Sequence, residues 1–363
     1  MLGVLARDPA RRLGWQRILI VTALGAALSL TVETLQLFMA NRVTSVADVV
    51  TNTIGTAIGA IAAERGIRLT RSWLRRLRAA GLIDEHAFYP MMVAAIVVCL
   101  SAWQPFDVTI EVGTLVSKIK LLQADLWQFT VPNDEGVGFV QFALFAAAIC
   151  LWLVALRRPA PATRAWLVAS TLALGLEASQ FLITSRMPGL QDMFVHIAGA
   201  AIGAGLWRSG VFRRRPYALL VVVSLAVGAG AAMQMLSPFT FASAHRPFRW
   251  LPFLGYYEHT SFETLSHVIE LILIYFPMGF CAARVLPPRR AVAWSIAIAA
   301  VLAVPIEYFQ GWVIGRYPDV TDIIFSGVGA WLGAWAGGFG PVAFSRTLAS
   351  LDRRRIWRPV YPE

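Results

Sequence analysis

Glu33 to Gly59 reads ETLQLFMANRVTSVADVVTNTIGTAIG, and the chain contains two further versions of this stretch. They are EASQFLITSRMPGLQDMFVHIAGAAIG from Glu177 to Gly203 and EYFQGWVIGRYPDVTDIIFSGVGAWLG from Glu307 to Gly333. Six residues recur without a gap: Glu, Gln three later, Arg six after that, Asp six further, Gly seven on and a last Gly four beyond. Polar residues that keep their spacing three times in an apolar chain indicate an internal repeat.

The composition is typical of a membrane protein. Of the 363 residues 57% are hydrophobic and 15% are charged, whereas a soluble domain has about 25% charged residues. Ten apolar segments are long enough to cross a bilayer as helices, which takes about 20 residues each. We predict an all-α, polytopic transmembrane protein with spans near 18–40, 46–64, 88–104, 137–156, 165–184, 190–207, 217–236, 264–283, 291–313 and 320–337.

The basic residues predict the orientation of these spans. With the N-terminus inside, 25 of the 32 Lys and Arg residues fall in inner segments. The other seven are Arg42, Lys118, Lys120, Arg186, Arg246, Arg249 and Arg316. This asymmetry follows the positive-inside rule, so we expect both termini to be cytoplasmic. The net charge of +11 is then a topology signal and a contact with anionic lipid, rather than a sign of nucleic-acid binding.

The repeat extends beyond the motif itself. Trp103-Gln104-Pro105-Phe106 and Leu236-Ser237-Pro238-Phe239 each end one span and open a long outer loop. Residues 88–207 and 217–337 are therefore predicted to be four-helix repeats in the same orientation, related by an axis along the membrane normal. Residues 1–64 hold two spans of an incomplete repeat, because two helices were lost or because the true start lies upstream. Residues 65–87 are predicted to be a basic cytoplasmic linker, and 338–363 a basic cytoplasmic tail.

The motif places its polar residues on two adjacent helices. Glu33 and Gln36 are three residues apart and share a helix face. Asp48 begins the return helix, and Asn52 follows on the same face at i+4. We predict that each Glu lies near the middle of its span, where a carboxylate faces a protein interior, and that each Arg lies at the outer rim.

These features predict three outward-facing polar clusters that bind a ligand. The predicted binding residues are Glu33, Gln36, Arg42, Asp48, Asn52, Glu177, Gln180, Arg186, Asp192, His196, Glu307, Gln310, Arg316, Asp322 and Ser326. Each Arg would pair bidentately with the Asp or Glu, or with an anionic headgroup. Structural roles stay open beside this one: the Glu/Gln pair as interhelical hydrogen bonds, the Asp at a helix N-terminus, and His196 as a proton carrier or a satisfied polar residue.

The glycines of the motif have the GxxxG spacing that lets helices pack closely. The three pairs are Gly55 and Gly59, Gly199 and Gly203, and Gly329 and Gly333.

One further set of residues has side chains that could bind a metal ion. His259, Glu263 and His267 stand at i, i+4 and i+8, which is typical of one helix face. Because i to i+8 spans about 12 Å, one ion would not reach both histidines. We therefore predict no metal site, and no motif indicates a cofactor.

The E-x2-Q, R, D and G-x3-G pattern, with an upstream Pro-Phe and the F-P-x-G at Phe276–Gly279, resembles the VanZ-like membrane proteins. In the second repeat the corresponding region was aligned as Phe145-Ala146-Ala147-Ala148. The resemblance implies a bacterial cytoplasmic-membrane protein with a cell-envelope role. The family takes its name from a protein linked to low-level resistance to teicoplanin, a glycopeptide that binds cell-wall precursors.

Three functions remain open from the sequence. The first is an envelope protein that binds membrane lipid, or a lipid-linked or glycan headgroup, and alters the response to glycopeptides. The second is a membrane enzyme that uses a Glu and an Asp as general acid and base, although no nucleophile motif is present. The third is a proton-coupled transporter with buried carboxylates.

Overall fold

The described part of the chain is helical. The structure, a computed structural model, describes residues 15–36, 45–125, 135–258 and 261–353. Those ranges contain α-helices, one 3₁₀ turn at Gly255–Glu258 and three isolated β-bridges. The predicted all-α class is confirmed. The helices are α1 (Trp15–Gln36), α2 (Val46–Ala79), α3 (Glu85–Trp103), α4 (Val112–Asp125), α5 (Glu135–Ala155), α6 (Pro161–Gln180), α7 (Leu190–Ser209), α8 (Val211–Arg214), α9 (Pro216–Met235), α10 (Ser261–Val285), α11 (Pro288–Gln310) and α12 (Val320–Arg353).

Seven of the described helices are long and apolar enough to cross a membrane: α2, α3, α5, α9, α10, α11 and α12. The chain is therefore a multi-pass membrane protein. The sequence predicted ten spans, and the three outside this set are α1, α6 and α7. Helix α1 contains a shorter apolar run, Ile18–Thr34. Helices α6 and α7 carry polar motif residues such as Glu177 and Asp192, which lower their mean hydropathy.

Three segments are more helical than predicted. Helix α2 continues without a break to Ala79, so most of the predicted linker at 65–87 belongs to it. The predicted outer loop 105–136 contains α4, and α12 extends to Arg353, into the predicted tail. Arg, Leu, Lys and Ala are frequent in these segments and favour helix without making it apolar. A prediction from apolar residues alone therefore made α2 and α12 too short and missed α4.

The chain forms two compact units. The N-terminal unit comprises Met1–Leu82 with Leu351–Glu363, and the main unit comprises Ile83–Ser350. In the N-terminal unit α1 packs against α2, and Asn52 Nδ2 donates a hydrogen bond to Ser29 Oγ across the pair at 3.0 Å. The main unit holds both full repeats.

Each full repeat of the main unit has its own apolar core. One cluster of buried residues lies among α3, α5, α6 and α7, and another among α9, α10, α11 and α12. Helix α5 connects the two, because its Val137 and Val140 pack into the second cluster. The first cluster includes Val98, Phe142, Ala169 and Ala200. The second includes Val227, Ile274, Ala303 and Ala330.

The motif glycines of the main unit lie against the backbone of a neighbouring helix. A Cβ added to any of them would collide with a carbonyl oxygen. The colliding pairs are Gly199 with Phe139 and Gly203 with Ala143, both on α5, and Gly329 with Ile272 and Gly333 with Phe276, both on α10. Close helix packing thus depends on these glycines. The first copy differs, because no described heavy atom lies within 4 Å of a Cβ built on Gly55 or Gly59.

The glycine contacts also correct the alignment of the two repeats. Gly333 contacts Phe276 where Gly203 contacts Ala143. The structural counterpart of Phe276 is therefore Ala143, two residues before Phe145, which the sequence had paired with it. By the same offset Glu270 of the third repeat corresponds to Val137 of the second.

Candidate functional site

The motif glutamate makes the same contact in all three copies. Its carboxylate accepts a hydrogen bond from the backbone N–H twelve residues later, just before the return helix. The pairs are Glu33 with Ser45 at 2.9 Å, Glu177 with Gly189 at 3.3 Å and Glu307 with Asp319 at 3.1 Å. These glutamates are only 8%, 6% and 2% exposed. Because N–H groups at a helix N-terminus lack intrahelical partners, each Glu ties the start of the return helix to the helix before it.

The prediction that each Glu lies near the middle of its span is wrong for Glu177 and Glu307. Helices α6 and α11 end at Gln180 and Gln310, so each of these glutamates lies three residues before a helix end. The chain turns there: Ile183 N–H donates to Gln180 O at 3.0 Å, and Val313 N–H donates to Gln310 O at 2.9 Å. The acid is therefore near the hairpin tip and close to the level of the motif arginine. The residues that follow Gln36 lie outside the described part of the chain, so the same prediction for Glu33 stays a prediction.

The motif arginines of the main unit bind the backbone at the Pro-Phe sequences. Arg186 Nε donates to Gln104 O at 2.9 Å, and Arg316 Nε donates to Ser237 O at 3.3 Å. Gln104 and Ser237 each precede a cis proline. Each arginine thus connects its hairpin tip to the end of the first helix of its repeat. Arg42, the third predicted arginine, lies outside the described residues.

The motif aspartates all lie in the first turn of a return helix, where the helix dipole favours negative charge. Asp48 is exposed and Asp322 is buried. Asp322 Oδ1 accepts a hydrogen bond from the Tyr256 hydroxyl at 2.8 Å, and Asp322 Oδ2 is 2.9 Å from His267 Nε2. Next to it, Ser326 Oγ donates to Asp322 O at 2.8 Å. The third copy therefore uses its aspartate in a polar network.

His267 extends that network across α10. Its Nδ1 lies 3.4 Å from Glu270 Oε2, and Glu270 accepts a hydrogen bond from the Gln234 side-chain amide of α9. A protonated imidazole donates from both nitrogens, which would satisfy both carboxylates. His259, weighed with His267 as a metal ligand, lies outside the described residues. Within the described ranges no group of three His, Cys, Asp or Glu side chains is placed to hold a metal ion.

A cavity of about 320 Å³ opens beside this network at the tip of the third hairpin. It brings together three predicted site residues, Gln310, Arg316 and Asp322, with residues of the loop 237–258 and of α10. Its other lining residues are Arg249, Gly255, Tyr256, Glu263, Thr264, His267, Gly315, Tyr317 and Asp319. Guanidinium groups, carboxylates, an imidazole and phenols therefore face one space, as in a site for a polar ligand.

Two tyrosines help to shape this cavity. Tyr317 carries the guanidinium groups of Arg246 and Arg249 over its ring, with Cζ atoms 4.4 Å and 4.5 Å from the ring centroid, an arrangement that attracts cations to the ring. Burial and the nearby Asp322 carboxylate raise the pKa of Tyr256. The Tyr256 phenol therefore stays protonated at neutral pH and remains a donor to Asp322.

The second copy has a smaller cavity, about 70 Å³, between the two repeats. Gln180, Arg186 and His196 line it together with Gln234 and Glu270 of the third repeat. Deeper in the second copy, His196 Nδ1 is 3.5 Å from Glu177 Oε1, and the His196 ring stacks on Phe142 with centroids 4.5 Å apart. His196 therefore has both a polar and an aromatic partner.

Lys118 of α4 fills the tip of the second hairpin. Its Nζ donates to Gln180 O at 3.3 Å, to Arg186 O at 2.6 Å and to Ile183 O. The side chain is only 3% exposed. In the third copy Arg246 Nη1 makes the corresponding contact with Arg316 O at 2.8 Å, and the space beside it is the larger cavity.

Sequence reasoning missed several of these residues, because they lie outside the recurring positions of the motif, on α4, on α9 and in loops. A signal was present at the position twelve residues after the motif Glu, which reads Ser45, Gly189 and Asp319 in the three copies. A carboxylate occurs at this position in the third copy alone. This suggests that its side chain has a role other than the contact with the motif Glu that all three copies share. The missed residues are Lys118, Gln234, Arg249, Tyr256, Tyr317 and Asp319.

Comparison with models of protein families gives a match. A family model described as VanZ/LLP1 matches residues 1–67, 86–213 and 217–339. Searches of curated proteins and of solved structures found no match.

Proposed function

Because the chain belongs to the VanZ/LLP1 family, and the resemblance to VanZ-like proteins implies work at the cell envelope, we propose that it binds a phosphate-bearing lipid or glycan headgroup of the envelope. The binding site would be the cavity of the third copy. By this proposal the protein lies in the bacterial cytoplasmic membrane with both termini inside and the cavity facing outward, as the asymmetry of basic residues predicts.

The observation that supports this proposal is the pair of guanidinium groups in the cavity of about 320 Å³. Arg249 and Arg316 line it from the loop 237–258 and from the hairpin tip. Arginine binds phosphate oxygens in a bidentate fork, and such charge-assisted hydrogen bonds are stronger than neutral ones. The cavity also holds acceptors and phenols that could bind the hydroxyls of a headgroup.

Lipid retention tests the binding. Purified full-length protein would be incubated with phosphatidic acid and examined by native mass spectrometry, as wild type and as Arg249→Gln. Since Arg249 lines the cavity, the variant should keep less of the bound lipid. Arg290→Gln, at an exposed arginine near the start of α11, should retain as much as wild type. Equal retention by Arg249→Gln and wild type would remove the proposal.

The envelope role needs a test in cells. Expression in a glycopeptide-susceptible bacterium should raise the teicoplanin concentration that stops growth, and Arg249→Gln should lose this effect at unchanged membrane abundance. The triple substitution of Glu177, Arg186 and Asp192 asks whether the second copy contributes. An unchanged phenotype in both variants would contradict an envelope role for these sites.

A membrane enzyme is a second candidate, favoured by His267. His267 lies between Asp322 and Glu270 at the cavity wall, where acid–base groups could act on a lipid-linked substrate. Turnover of such a substrate by wild type, lost in His267→Gln, would support this candidate. Absence of turnover with continued lipid binding would leave the binding role.

A further inference from the structure

The wall of the third copy's cavity contains a buried carboxylate oxygen for which the described part of the chain supplies no hydrogen-bond donor. Asp319 is 5% exposed, and its Oδ1 accepts a hydrogen bond from Thr321 N–H at 2.8 Å. Asp319 Oδ2 is buried and has no hydrogen-bond partner among the described residues. Buried polar groups are nearly always satisfied, and an unsatisfied charged acceptor is costly. Asp319 lines the cavity, so a donor within the cavity would satisfy it.

Gly255 lets the Asp319 carboxylate and the Arg249 guanidinium group pack closely against its backbone. A Cβ at position 255 would lie 2.7 Å from Asp319 Oδ2 and 2.6 Å from Arg249 Nη1. Both distances are too short for a real Cβ, so any larger residue would push into the acid or the guanidinium group. The glycine therefore preserves a wall of the cavity where a negative and a positive group lie next to each other.

The Asp319 carboxylate is not needed for the contact with the motif Glu that all three copies share. The backbone N–H at this position donates to the motif Glu in every copy, and only that N–H is needed for the contact. The first and second copies have Ser45 and Gly189 there. The Asp319 carboxylate is thus specific to the third copy, which is also the copy with the larger cavity.

We propose that the ligand of this cavity carries a primary ammonium group as well as a phosphate, as in a phosphoethanolamine headgroup. The inference rests on the proposed function, which assigns the phosphate to Arg249 and Arg316. The ammonium would donate to Asp319 Oδ2, since an ammonium has three donors and no acceptor. Asp319 and Arg249 adjoin across Gly255, and a two-carbon ethanolamine joins its charged groups over a similarly short span.

A pair of matched lipids tests the donor directly. Phosphatidylethanolamine and phosphatidylcholine with identical chains differ in the amine, and only the first has N–H groups. Purified full-length protein would be offered an equimolar mixture, and the bound lipids counted by native mass spectrometry. We expect phosphatidylethanolamine to be bound about tenfold more than phosphatidylcholine, the factor that a charged hydrogen bond supplies. Equal binding by wild type would overturn the inference.

Two substitutions locate the preference. Asp319→Asn keeps an oxygen for Thr321 N–H and leaves the backbone contact with Glu307 in place, so it should fold while lowering the ratio of the two lipids to about one. Gly255→Ala should also abolish the preference, because its Cβ would displace Asp319 Oδ2 or the Arg249 guanidinium group without removing a charge. Glu111→Gln and Gly175→Ala, at exposed positions away from the cavity, should keep the wild-type ratio. An unchanged ratio in Asp319→Asn would overturn the inference.

Further arms separate this inference from the proposed function. If phosphatidylglycerol, which offers hydroxyl donors, competes as well as phosphatidylethanolamine, the ammonium assignment is wrong. If both matched lipids bind equally and both are lost in Arg249→Gln, the phosphate site stands and the ammonium site falls. If Arg249→Gln leaves both lipids bound at the wild-type ratio, the proposed function itself fails.

Discussion

The second and third copies of the motif share the same backbone contacts, which we call the frame. They differ in the residues outside the motif that pack at the hairpin tip, which we call the contents of the copy. In both, the motif Glu accepts a backbone hydrogen bond at the start of the return helix, and the motif Arg donates to the carbonyl before the Pro-Phe proline. In both, the glycine pair lies on the backbone of a neighbouring helix. What differs is the segment that covers the hairpin tip: α4 in the second copy, and the loop with Arg249 and Tyr256 in the third.

The two copies also differ in the cavities that lie beside them. Lys118 reaches three carbonyls at the second tip, and the cavity near this copy is about 70 Å³. The third copy leaves about 320 Å³, lined by side chains that the motif does not specify. The recurring motif therefore builds the hairpin, while residues outside the motif supply most of the lining of the larger cavity.

The largest effect we expect is at the glycines, because a shared frame requires both copies to fail in the same way. Gly203→Ala and Gly333→Ala should each lower the free energy of unfolding by about 3 kcal/mol, since the new Cβ would push a helix away from a carbonyl oxygen. Denaturant titration in detergent would measure this. Gly175→Ala, where a Cβ meets nothing within 4 Å of the described residues, should be neutral or gain up to about 1 kcal/mol of helix propensity. A cost confined to one copy would break the comparison.

A smaller and again symmetric effect is expected at the glutamates. Glu177→Ala and Glu307→Ala should each cost about 2 kcal/mol, because each leaves a buried or part-buried backbone N–H without its side-chain acceptor. Glu307→Ala should cost somewhat more, since Gln310 Nε2 also donates to this carboxylate at 3.1 Å. The same titration, with Glu→Gln variants that keep an acceptor oxygen as controls, measures the difference. Alanine variants as stable as wild type would show that the glutamates are not part of the frame.

Much of the frame could be read from the sequence, because it depends on residues that recur. The spacing of Glu177, Arg186 and Asp192 matches that of Glu307, Arg316 and Asp322, and identical spacing requires equivalent positions in equivalent helices. Helix class and the membrane environment followed from composition. The position of Glu177 and Glu307 along their helices could not be predicted from the sequence. The apolar segments continue past Gln180 and Gln310, although the backbone turns there.

The residues that pack at each hairpin tip could not be predicted from the sequence, for a different reason. Lys118, Tyr256 and Asp319 act through contacts with residues that are distant in the chain or that depend on how a loop folds back. Loops have no periodicity from which a contact could be predicted. The metal alternative illustrates this, because helical spacing grouped His267 with Glu263, whereas the structure pairs it with Asp322 on another helix.

The smallest effect expected is also the most selective, because it concerns the contents of one copy. Lys118→Met should cost about 1–2 kcal/mol, since three hydrogen bonds from a charged donor are lost while methionine can still fill the space. The loss is limited because Gln180 O and Ile183 O keep their hydrogen bonds from Ile183 N–H and Arg186 N–H. Lys120→Met, at an exposed lysine of the same helix, should change the free energy of unfolding by less than about 0.5 kcal/mol. Lipid retention at the third copy should be unchanged in both variants, because Lys118 is not among the residues that line that cavity. Loss of retention in Lys118→Met alone would mean that the two copies are coupled and that the second tip does more than close itself.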